Sequence, residues 1–136
     1  MINRANREMS EISSADWELL QGVIDMHVHA IPSVECDTPF DQAEPVKMAD
    51  LGATIEYCIA HCVATSRVDP KSIAEGTKRI GANRCVMATD LTRYETLHPI
   101  EGMRYFIQVM ARRYGISKRE ISMMTRENPA RLLGLT

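Results

Sequence analysis

Between Val23 and Ala30 apolar and polar residues alternate. Ile24, Met26 and Val28 fall on one side, and Asp25, His27 and His29 on the other. Side chains of an extended segment alternate with period two, so this stretch predicts a first strand with a polar and an apolar face. Asp16 to Leu20 reads as a short leading helix ended near Gly22. After the turn-rich stretch Pro32 to Pro39, a helical pattern runs to Leu51, with Gly52 as its stop and Pro45 expected to shorten or kink it. Ala53 to Cys62 is rich in small, β-branched and aromatic residues and predicts a second strand. Pro70 stands at a first helical position, for a helix running to Ile80 with Gly81 as cap. Cys85 to Leu91 predicts a third strand ending at Asp90.

The remaining chain reads as helical. Ile100, Met103, Phe106, Ile107 and Met110 recur at three-and-four spacing over Pro99 to Tyr114, the apolar stripe of an amphipathic helix closed by Gly115. Ser117 and Glu120 have the spacing of a capping box, for a helix with Ile121 and Met124 pointing inward. Asn128 is expected to cap a last short helix, with Pro129 at its first position and Gly134 after its end. Strands separated by helices imply parallel pairing with helical crossovers, hence an α/β fold.

Composition narrows the function classes. The chain has 136 residues, is 45% hydrophobic and 25% charged, and carries a formal net charge of −2. That describes one globular domain, 1–136. It gives no broad basic surface for nucleic acid or acidic lipid. No apolar run reaches the ~18 to 20 residues of a membrane span. The polar start has no signal- or transit-peptide pattern, so the expected location is cytoplasmic. Four cysteines in such a chain are expected to be reduced. Cys58 and Cys62 flank Ile59-Ala60-His61, but zinc sites normally add a second close pair, and Cys36 and Cys85 each stand alone. Buried thiols are the expectation.

The chemistry-bearing stretch is Asp25-Met26-His27-Val28-His29. Two residues apart on a strand, the histidines would have Cα atoms ~6.6 Å apart and could converge on one ion. They could also lie at a solvent-exposed strand end. Asp90, at the end of the third strand, could ligate a metal or accept a proton, or merely begin the following loop. Chemistry in α/β sheets and barrels sits at that C-terminal edge. His61, at the predicted end of the second strand, and His98 are further candidate ligands. Glu56 lies mid-strand, where a structural hydrogen bond is expected.

The His27-x-His29 strand resembles the first strand of the amidohydrolase superfamily of metal-dependent hydrolases. Arg84-Cys85-Val86-Met87-Ala88-Thr89-Asp90 is similar to that superfamily's last barrel strand with its aspartate. Asn128-Pro129-Ala130-Arg131-Leu132-Leu133-Gly134-Leu135 is similar to its closing helix. The resemblance implies His27, His29 and Asp90 as ligands of a divalent metal, zinc first, with manganese or iron as alternatives. It also implies Asp90 as the catalytic residue that takes and passes on the proton when activated water attacks a C–N or C–O bond of a small molecule. Whole (β/α)8 barrels need about 250 residues. This chain therefore reads as a partial (β/α) barrel with about three parallel strands and surrounding helices. Its first βα unit, about 20–52, would be joined to the last units, about 53–136, near residues 41 to 52. In a closed barrel the last strand lies beside the first, so the implied strand order is second, third, first.

Two other readings stand beside the hydrolase. A non-catalytic, shortened remnant of such a barrel would expose strand edges and apolar surface, and a homo-oligomer is expected in consequence. Met110-Ala111, Gly115, Ile121 and Met124, with Arg112, Arg113, Lys118, Arg119 and Arg126 nearby, have the spacing of a DNA-binding helix-turn-helix.

Overall fold

The structure is a computed structural model and describes residue 18 and residues 20–26, 43–63, 68–91 and 97–135. Helix α1, Ala43–Asp50, leads into strand β1, Ile55–Cys58, which is followed by a single helical turn, α2, Ala60–Val63. Helix α3, Pro70–Ile80, and a 3₁₀ turn, Ala82–Arg84, lead to strand β2, Cys85–Ala88. Helix α4, Pro99–Gln108, runs on through a π-helical turn, Val109–Arg113. Helix α5, Lys118–Ser122, passes through a second π-helical turn, Met123–Glu127, into α6, Asn128–Leu132.

The architecture is mixed α/β with helices predominating. Among the described residues the sheet has two parallel strands, with Ile55 paired to Cys85 and Cys58 to Ala88. The expected first strand is not one over its described part: residues 23–26 belong to no helix or strand, and 27–30 lie outside the described residues. The other two strands are shorter than expected. The segment expected as strand from Ala53 to Cys62 turns at Ile59, and Ala60–Val63 is helical; Cys85 to Leu91 is strand only to Ala88.

Apolar residues at alternate positions build the core. Ile55, Tyr57, Cys85 and Met87 share one sheet face and join Ile73 and Ala74 of α3, Phe106 and Ile107 of α4, and Ile121 and Met124 in one buried cluster. Val86 and Ala88 on the other face are buried too, as expected where parallel strands are covered on both sides. Tyr57 fixes how closely α3 approaches. A Cβ added at Gly76 would stand 2.4 Å from the Tyr57 Oη. No helix among the described residues is long and apolar enough to cross a membrane.

The helix signals act where expected. Asp69 Oδ1 accepts from the Lys71 N–H at 2.8 Å, Pro70 opens α3, and Gly81 closes it at φ 94. Pro45, expected to shorten or kink this helix, instead falls in the first turn of α1, where its missing N–H costs no intrahelical bond. The Ser117 hydroxyl accepts from the Glu120 N–H while the Glu120 carboxylate accepts from the Ser117 N–H. After Leu132 the Gly134 N–H reaches Arg131 O and the Leu135 N–H reaches Ala130 O. This Schellman ending requires the left-handed conformation that Gly134 adopts at φ 67.

Two expectations for the helices fail. Ile100 is 51% exposed, because it opens α4 on the rim of a cleft instead of facing the core. Asn128 does not cap a helix. The helix runs through it, and its buried amide donates to Ala82 O at 2.8 Å and to Cys85 O at 2.7 Å. The π-helical turn before it has a local cause. Pro129 has no N–H to offer Thr125 O four residues back, and that carbonyl accepts from the Ile24 N–H at 2.8 Å.

Gly76→Ala is expected to lower stability by about 1–3 kcal/mol in urea unfolding, since the methyl group meets a ring held on a buried strand. Ser117→Ala is expected to cost about 1 kcal/mol at neutral pH. The Ser117 side-chain and backbone hydrogen bonds hold the Glu120 carboxyl below its ordinary range. The stability this gives is present above the unfolded value of ~4.3 and is lost as pH falls through the depressed folded value. The gap between wild type and Ser117→Ala should therefore narrow in unfolding measured towards pH 3.

Candidate functional site

Parallel pairing brings the C-terminal ends of β1 and β2 to one edge, and two further hydrogen bonds extend the ladder there. The Ile59 N–H donates to Ala88 O at 3.2 Å and the Ala60 N–H to Thr89 O at 3.1 Å. Beyond them the chains diverge into α2 and the loop at Asp90. The expectation of His61 at a strand end is thereby corrected, because it stands on the helical turn α2. Its Nε2 still lies 4.0 Å from Asp90 Oδ2, with the Asp90 side chain only 14% exposed.

Asp90 has φ 50, the only positive φ among the described non-glycine residues. A left-handed conformation costs an L-residue about 1–2 kcal/mol, and aspartate is among the residues that visit it. The residue before it, Thr89, is fully buried. Its N–H donates to Asp25 Oδ1 at 3.0 Å and its hydroxyl donates to Asp25 Oδ2. Thus Asp25, on the polar side of the alternating segment, reaches the tip of β2. His27 and His29, the other two residues of that polar side, lie outside the described residues. Asp25 meets this edge although the sequence marks only the two histidines beside it as candidate ligands. Its signal was its place in the same period-two set as the two histidines.

The remaining polar groups sort by their contacts. The Cys58 Sγ donates to Glu56 Oε1 at 3.3 Å, which gives Glu56 its expected hydrogen-bonded role. Burial, and after it the Glu56 carboxylate, push the Cys58 thiol far up, with smaller contributions from Asp90 and Asp25. Burial pushes Cys85 up to about 12, and burial with Asp69 does the same for Cys62. These three cysteines are free thiols; Cys36 lies outside the described residues. His98 is the N-cap of α4, its Nδ1 accepting from the Ile100 N–H at 3.3 Å.

No protein family, curated protein or solved structure matches the chain.

Beside Asp25 lies an open cleft of about 510 Å³ lined by Leu20, Val23, Pro99, Ile100 and Met103, among others. Among the described residues no group of three or more His, Cys, Asp and Glu side chains is placed to hold a metal ion. The donors that do meet at the strand edge are of a suitable kind. With bonds of ~2.0–2.1 Å, two ligand atoms on a tetrahedral ion stand about 3.4 Å apart. His61 Nε2 and Asp90 Oδ2, at 4.0 Å, stand about 0.6 Å further apart than that.

Cys85 is fully buried, and that burial pushes its thiol up to about 12. Cys85 should therefore stay unmodified by iodoacetamide in the native protein and react within minutes in denaturant, as read by peptide mass mapping.

Proposed function

We propose that the chain is a metal-dependent hydrolase of the amidohydrolase kind, acting on a small molecule at the C-terminal edge of its parallel strands. The observation that carries this reading is the Asp25–Thr89 contact. It joins the segment leading into His27-x-His29 to the residue immediately before Asp90. Those are the three residues that the resemblance makes ligands. His61, 4.0 Å from Asp90, adds an imidazole at the same edge.

In this reading His27 and His29 supply neutral nitrogen donors and Asp90 a carboxylate oxygen, with His61 available to complete the set. A bound zinc, manganese or iron ion supplies Lewis acidity and lowers the pKa of water. Asp90, with a largely buried carboxylate at the strand tip, takes the proton of the attacking water and returns it to the leaving group. The adjoining cleft, mostly apolar and bordered by Asp25, suits the organic body of the substrate and its exclusion of water.

Purified protein is expected to carry a near-stoichiometric divalent metal by elemental analysis, and His27→Ala and Asp90→Ala to lose it while staying folded. A folded wild-type protein that takes up no zinc, manganese or iron overturns the hydrolase.

The remnant reading is favoured by one observation, the solvent-facing apolar side chains Met48, Leu51, Leu133 and Leu135, with Leu51 89% exposed. A metal-free, self-associated species in sedimentation supports that reading over the hydrolase.

A further inference from the structure

The cleft beside Asp25 has two walls. One is formed by residues 20–25, the other by the first turns of α4 with Pro99, Ile100 and Met103. The first wall is neither helix nor strand, and hydrogen bonds to distant parts of the chain hold it. The Val23 N–H donates to Leu20 O at 3.1 Å around Gly22, and the Ile24 N–H donates to Thr125 O at 2.8 Å. Both oxygens of the Asp25 carboxylate accept from Thr89, one from its N–H and one from its hydroxyl. Thr89 is fully buried, so these bonds are sheltered from water. Two donors on one residue fix the carboxylate in rotation as well as in distance.

The lining determines the kind of molecule that fits. Its described side chains are mostly apolar, and Ile100 presents half of its surface at the rim. Asp25 is the one charged residue among them, and its carboxylate is committed to Thr89. Arg126 lies close to Gly22, but it is not among the lining residues, and its Nη2 donates to Glu18 O at 3.4 Å. An anion would give up its hydration beside an acidic residue, and a cation beside a carboxylate already engaged. The cleft volume of about 510 Å³ falls within the ~300–1,000 Å³ of small-molecule sites.

We infer that this cleft binds an uncharged small molecule with a ring-sized apolar body, and that the Asp25–Thr89 clasp holds one wall at binding distance. Asp25 and Thr89 are positioning residues here, acting through the segment they fasten. The coupling is reciprocal, so a molecule seated between the walls also holds the clasp shut. The inference gives the substrate of the proposed hydrolase its class, and it rests on that reading only for the reaction that follows binding.

The test titrates the whole chain, kept metal-free in EDTA, with 1-naphthalenemethanol by calorimetry, and reads amide hydrogen exchange alongside. Saturable one-to-one binding at about 1 mM or tighter is expected, with slower exchange of the Ile24 amide in the bound state. The 1-naphthoate anion and the 1-naphthylmethylammonium cation should each bind at least ~10-fold more weakly. Ile100→Ala should weaken the alcohol about three- to tenfold, while Leu51→Ala, at a residue 89% exposed just after α1, should leave it unchanged. Thr89→Val should weaken it about tenfold and quicken Ile24 exchange in the free protein. Thr89→Ser, which keeps the hydroxyl donor, should restore both to within about threefold of wild type. Should Thr89→Val fail to fold, Asp25→Asn, which keeps one acceptor oxygen, takes its place.

No saturable binding by wild type, tighter binding of either ion, or equal losses in Leu51→Ala and Ile100→Ala overturns the site. Variants of the clasp that melt earlier yet bind the alcohol with wild-type constants overturn its positioning role. A chain that binds the alcohol and takes up no zinc supports this inference while overturning the metal site, so the two fail separately.

Discussion

Parallel pairing of Ile55–Cys58 with Cys85–Ala88 is the constraint on which the rest of the structure depends. Parallel strands cannot be joined by a tight turn, so α3 must cross over between them. Its length and capping follow from that task. The pairing also brings both C-terminal ends to one edge, where the ladder continues through Ile59 and Ala60 before the chains part. Residues distant in sequence, Asp25, His61 and Asp90, meet there because the backbone has already aligned Thr89 between them.

Burial on both faces of β2 makes the pair demanding of its neighbours. Tyr57 lies against Gly76 closely enough that no side chain fits between them, and α3 is thereby set against β1. Asn128 has the equivalent role for the tail. A buried amide would be costly without partners, and both its hydrogens find carbonyls, one in the 3₁₀ turn and one on β2. The closing helix is thus attached through polar contacts as well as through Ile121 and Met124.

Where local chemistry decided the structure, it was legible in the sequence. Asp69, Pro70 and Gly81 bound α3, and Ser117 with Glu120 starts α5, because these signals work within a few residues. The strand ends were less legible. Ile59 and Ala60 suit strand and helix alike, and only the divergence of the chain after the pairing decides between them. Likewise Ile100 satisfies the helical stripe, yet its place in the first turn leaves it on a cleft. Asn128 before Pro129 has the pattern of a cap, and the distant carbonyls of Ala82 and Cys85 overrule it. At the strand edge Asp90 was legible from its position after an apolar run. The part played by Asp25 was not, since its partner is 64 residues away.

The Ile24–Thr125 and Asp25–Thr89 bonds fasten the early chain to the turn before α6 and to the end of β2. A clasp of this kind closes a loop, and its strength depends only weakly on how much chain lies inside it. Closing a flexible loop becomes harder by only about 0.6 kcal/mol for each doubling of its length. By that measure a connection of twice the length between Met26 and α1 would weaken the fastening by well under 1 kcal/mol, roughly the worth of a single hydrogen bond.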